Sequence, residues 1–113
     1  MRIFDQLEER LGYIEFRQRL LFDNDDVSRL LFEYEITHDE YTKIMDLMDK
    51  YRNKIEKNES VYHSIFEDEI YSLVPSRFGD YHFCEYIAKA FMECGRWKEV
   101  FPALYSDMPK YQS

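Results

Sequence analysis

Apolar residues recur every three or four positions along nearly all of this 113-residue chain, and that spacing constrains the fold more than any other feature. Val27, Leu30, Leu31 and Tyr34 form one stripe, and Tyr41, Ile44, Met48, Tyr51 and Ile55 a second. Val61, Ile65, Phe66, Ile70 and Leu73 form a third, and Phe83, Ile87, Ala90, Phe91 and Cys94 a fourth. An α-helix returns to the same face about every 3.6 residues, so each stripe marks one side of an amphipathic helix. No stretch alternates convincingly with period two, and the β-rich run from Ile70 to Val74 sits inside a longer helical stripe. Three glycines and three prolines are too few for the turns of a many-stranded sandwich or barrel. The expectation is an all-α, compact multihelical bundle of five or six helices. Residues 1–107 form its single domain, and residues 108–113 a frayed tail.

The breaks between stripes carry helix-end chemistry. Asp23-Asn24-Asp25-Asp26 supplies capping side chains and negative charge for the helix that follows. Thr37-His38-Asp39-Glu40 reads as a capping box, flanked by Ile36 and Tyr41 as a hydrophobic staple. Ser60 is placed to cap the fourth helix, which ends near Pro75, and Asp80 to cap the fifth. Gly95 is placed to end that helix in the left-handed conformation. Trp97, Val100, Phe101 and Leu104 mark a last helix, kinked or short because Pro102 has no amide donor.

The first helix, expected over residues 2 to 22, carries a stricter repeat. Phe4, Leu7, Leu11, Ile14 and Leu21 fall on alternating a and d positions of a heptad, with Gln18 at the one polar a position. Glu8 and Glu15 fall on e, Arg10 and Arg17 on g. This is the pattern of a helix with a helical partner along its length. The partner is either the core of its own domain or another chain. A parallel pair sets the glutamates against the arginines, whereas an antiparallel pair sets like against like. Two and a half heptads are too short to associate alone, so the rest of the fold has to contribute. Gly12 within this helix costs about 1 kcal/mol relative to alanine.

A net charge of −8 disfavours general nucleic-acid binding and anionic membrane surfaces, since both select cations. The N-terminus is charged throughout, unlike a signal peptide, and no stretch approaches a membrane span. Cys84 and Cys94 lie ten residues apart on one helix, an axial rise of about 15 Å that prevents a bridge between them. Two reduced thiols suit a cytoplasmic protein, and both read as small core residues.

No motif for catalysis or cofactor binding stands out. Glu35-Ile-Thr-His38 has the Glu-x-x-His form of half a di-iron site, but it occurs once and straddles the break at Thr37. His63 and Glu67 are spaced for a helical surface contact, and His82 lies just inside a cap. Glu67-Asp68-Glu69 reads as a solvated helix face. Of ten tyrosines, Tyr13, Tyr34, Tyr62, Tyr71 and Tyr86 are expected at the edge of the core, as ordinary boundary residues or as a contact surface.

Arg10-Leu11-Gly12-Tyr13-Ile14, the Thr37–Glu40 cap, Ile44-Met45 and Leu47 come in an order that resembles the YhaI-like family of small helical Bacillus proteins. The best local match is Glu85 to Phe101. There Ala90-Phe91-Met92-Glu93-Cys94-Gly95, Trp97, Glu99, Val100 and Phe101 look like that family's helix–glycine–helix ending. Pro102 and residues 75–81 depart from the family pattern. The resemblance implies an all-α, oligomeric protein with no assigned activity.

The functional expectation is an acidic protein–protein interaction module without catalytic activity, cofactor or metal. Its partners are itself and an unidentified protein, and Phe4, Leu7, Leu11, Ile14, Gln18 and Leu21 are the association residues. The alternative is an acidic inhibitor, phage-encoded in one version, that mimics nucleic acid or blocks a basic site. Its carboxylates would be Asp23, Asp25, Asp26, Glu67, Asp68 and Glu69.

Overall fold

The computed structural model describes residues 2–106 and 108, with residues 2–5 described by their backbone alone. Six helices follow one another: α1 (Arg2–Asp23), α2 (Asp26–Glu33), α3 (His38–Glu56), α4 (His63–Leu73), α5 (Tyr81–Glu93) and α6 (Val100–Tyr105). A 3₁₀ turn at Pro75–Arg77 links α4 to α5, and no strand occurs among the described residues. The all-α bundle expected from the apolar stripes is the observed architecture. Of the expected tail, only Met108 is among the described residues, and it packs half-buried against the core.

Three of the helix starts follow from side-chain caps. Asp25 accepts from the Ser28 amide at 2.7 Å to open α2. The α3 box closes in both directions: Glu40 N–H donates to Thr37 Oγ1 at 3.1 Å, and Thr37 N–H donates to Glu40 Oε1 at 3.0 Å. Asp80 accepts from the Phe83 amide at 3.2 Å at the start of α5. The start of α4 differs from expectation. Ser60 does not cap it; the helix opens after Tyr62, which is extended and makes no side-chain cap bond. Val61, just before it, packs half-buried against the core, while residues 57–60 and Tyr62 are exposed.

Three helices share one kind of ending. After α5, Gly95 has φ +80°, its N–H donates to Met92 C=O at 3.0 Å, and Arg96 N–H donates to Phe91 C=O at 2.8 Å. The same pair of bonds follows α3, with Asn58 at φ +60°, and α2, with Glu35 at φ +56°. This ending satisfies carbonyls that the helix leaves orphaned. Glycine and asparagine tolerate it, whereas glutamate carries a Cβ into a crowded conformation. Ile36, the residue after Glu35, is fully buried, which holds the strained turn in place. Glu35→Gly is therefore expected to stabilise the fold by about 0.5–1 kcal/mol, read as a higher urea midpoint at constant m-value.

The core lies between α2, α3, α4, α5 and α6, with Leu20 of α1 at its edge. Ile44, Met48, Phe66, Ile70, Phe83, Ile87, Phe91, Val100 and Tyr105 are fully buried there. Phe66 meets Tyr51 edge to face at 5.1 Å, and Phe91 meets Trp97 at 4.9 Å. Cys84 is buried as expected, but Cys94 is exposed. It is the last residue before the Gly95 turn, where the backbone leaves the apolar stripe. Pro102 falls in the first turn of the six-residue α6, where its missing donor is harmless.

Candidate association surface

The described residues span 51 × 26 × 25 Å. The 22-residue first helix, about 33 Å at 1.5 Å per residue, is long beside the two shorter dimensions. At about 100° per residue, Phe16 and Leu20 share one side of α1, while Leu7, Leu11, Ile14 and Leu21 share another, some 155° away. The structure docks the first side. Leu20 is 4% exposed, and Phe16 meets the rings of His38 edge to face at 5.2 Å and Tyr41 at 6.2 Å. Arg17 lies 3.8 Å over the Phe32 ring and donates to Phe32 C=O at 3.1 Å and to Tyr13 Oη at 3.2 Å. The heptad spacing places Arg17 beside a partner helix; its own chain engages it instead. An arginine stem packs on apolar surface as readily as it pairs, so the spacing alone does not reveal this inward face.

The other side stays outside. Leu7 is 48% exposed, Leu11 58%, Ile14 50% and Leu21 59%. Phe22, which the heptad reading passes over, extends this side at 89% exposure. Gln18 is exposed among them, and Phe4 lies on α1 with its side chain outside the described residues. Every described side chain from Gln6 to Gly12 is exposed. The described a and d positions from Leu7 to Leu21 are therefore not docked in the chain's own core. Single exposed apolar side chains are ordinary on a protein surface, whereas a row of them along one side of a helix is the pattern of surface that contacts tend to cover.

The acidic clusters have different surroundings. Asp23 pairs with Arg19 at 3.8 Å, Asp25 caps α2, and Asp26 pairs with Arg29. Glu69 accepts from Lys50 and from Tyr51 Oη, both at 2.6 Å. Burial raises the Glu69 pKa, but these two donors outweigh it and hold the carboxyl below its usual range. Glu67 accepts from the buried Tyr105 hydroxyl at 2.8 Å. Burial first, then Glu67, pushes that hydroxyl far above the usual tyrosine range. Only Asp68 of the six is left to solvent without a side-chain partner of this kind.

The groups weighed for chemistry are dispersed. Glu35 and His38 flank the α2–α3 turn, with Thr37 between them as the cap. His63 Nδ1 lies 3.7 Å from Glu67 Oε2, too long for a hydrogen bond, and His82 stacks between Tyr81 and Tyr86 at the surface. The Cys84 thiol is pushed up to about 12 by burial and by the Glu67 carboxylate, which keeps it in the unreactive thiol form. Among the described residues no group of three or more His, Cys, Asp or Glu is placed to hold a metal ion, and no helix is long and apolar enough to cross a membrane.

Tyr13, Tyr34 and Tyr71 are half-buried, while Tyr62 and Tyr86 are exposed. Tyr51 and Tyr105 are buried outright, each bonded to a carboxylate of α4, and sequence reasoning missed these two pairs. The spacing of Glu67 and Glu69 is fixed by α4, but their partners come from α6 and α3. No family model, curated protein or solved structure matches the chain.

Proposed function

We propose that this chain is a small acidic interaction module that associates with copies of itself through the outward face of α1 and works by contact rather than catalysis. The supporting observation is the row Leu7, Leu11, Ile14, Leu21 and Phe22, exposed on a helix whose opposite side is docked. Burial of such surface drives most protein association. A second copy fits the face because its own flanks carry both signs: Glu8 and Glu15 on one side, Arg10 on the other. None of these three forms an ion pair among the described residues. The resemblance to the YhaI-like family points the same way. The inhibitor reading is weaker, because most of the clustered carboxylates already serve as caps or partners within the chain.

Sedimentation equilibrium of the intact chain from low to high micromolar concentration tests the proposal. A mass that rises to a multiple of 13.9 kDa is expected. A constant single-chain mass across that range removes self-association.

A further inference from the structure

Resting on the reading that α1 pairs with itself, we infer that the paired α1 helices run parallel and in register. The argument is the order of charge beside the apolar row. In a parallel pair, a g residue faces the e residue five positions later on the partner helix. Arg10 then meets Glu15 of the other copy, and the two-fold symmetry makes this contact twice. Arg17 would face Phe22, which carries no charge, so its engagement with Phe32 inside its own chain removes nothing from the parallel pair.

The antiparallel alternative stacks a against d, with Leu11 opposite Ile14 and Leu7 opposite Gln18. Its flanks then set Glu8 against Glu15 twice, and Arg10 against an Arg17 that is held over Phe32 in its own chain. Like charges at such positions are destabilising. Gln18 strengthens the choice. In the parallel register it meets its own counterpart, where two amides can bond each other, whereas in the antiparallel one it is set against Leu7 and leaves its amide unpaired. The folded body attaches mainly to the far side of α1, through Phe16 and Leu20, and reaches the edge of the row only at Arg17.

Glu15→Arg separates the orientations by the sign of its effect. In the parallel pair it turns two Arg10–Glu15 attractions into repulsions between guanidinium groups, and the dissociation constant is expected to rise roughly tenfold at low salt. In the antiparallel pair the same change sets the introduced guanidinium against Glu8 and tightens association. Adding Arg10→Glu to Glu15→Arg restores native affinity in the parallel pair.

Disulfide trapping gives a second readout. Leu7→Cys and Gln18→Cys, each in a Cys94→Ser chain to remove the exposed native thiol, are oxidised separately and as a mixture. Parallel pairing gives 7–7 and 18–18 bridges, whereas antiparallel pairing gives 7–18 bridges in the mixture. A self-associating chain that forms 7–18 bridges, or that tightens with Glu15→Arg, overturns the orientation and leaves self-association standing. A native chain that stays monomeric overturns the underlying reading instead.

Discussion

Replacing Leu11 and Ile14 together by aspartate is expected to give a folded monomer. Neither side chain is buried in its own chain, so the core loses nothing. The helix itself loses only about 0.5 kcal/mol per position in propensity. A pair of α1 helices, by contrast, loses four apolar side chains from its seam. Full burial of each is worth about 1.5–3 kcal/mol, and about half of that is at stake where half the side chain is already covered. The aspartates add the desolvation of four carboxylates. Together these weaken association by on the order of a thousandfold, at about 1.4 kcal/mol per tenfold. Sedimentation velocity reads the mass, and the far-ultraviolet circular dichroism reads the fold. Leu20→Ala on the opposite side of α1 is the matched contrast, expected to cost about 2–5 kcal/mol of stability while leaving the outward row intact. A double variant that keeps a native mass above that of one chain would place the seam elsewhere.

Trp97→Ala is expected to cost about 3–5 kcal/mol, a large fraction of the stability of a domain this size. The ring is buried edge-on to Phe91, lies between the Arg52 and Arg96 guanidinium groups, and donates Nε1–H to Asp49 at 2.7 Å. It does so from a backbone at φ +47°, a conformation bulky residues rarely adopt. The strain persists because the ring is tied to α3 and α5 at once. Alanine loses the packing and the hydrogen bond but keeps the backbone cost. Trp97→Phe keeps most of the packing and is expected to lose only about 1–2 kcal/mol, mainly the bond to Asp49. Urea unfolding of the two variants separates these contributions. Equal losses would mean that the indole N–H, not the ring, holds α3 to the α5–α6 turn.

The parts of this fold that read directly from the residues are those with local causes. The Thr37–Glu40 box, the Asp80 cap and the Gly95 turn each need only a few neighbouring residues, and each formed as expected. Where burial decides, the local signal fails. Ser60 has the chemistry of a cap, yet α4 starts two residues later, after a Val61 that packs against the core. Glu35 and Trp97 take up left-handed conformations that nothing in their identity announces; the buried neighbours Ile36 and Phe91 impose them. Cys94 continues the α5 stripe on paper but sits where the helix ends. On α1 the heptad picks out the exposed row as a coherent stripe. It is silent on which side faces the body, because that side is built from Tyr13, Phe16, Arg17 and Leu20, a mixture no simple apolar count detects.

The solvent-facing early turns of α1 have a thermodynamic corollary. Between Gln6 and Gly12 every described side chain is exposed. Helix of that length is marginal in water without tertiary support, and Gly12 has open space where a Cβ would stand. Under the proposed pairing, neighbouring copies would add support to these turns, and conformational order at this end of the molecule would then rise with how many molecules are present.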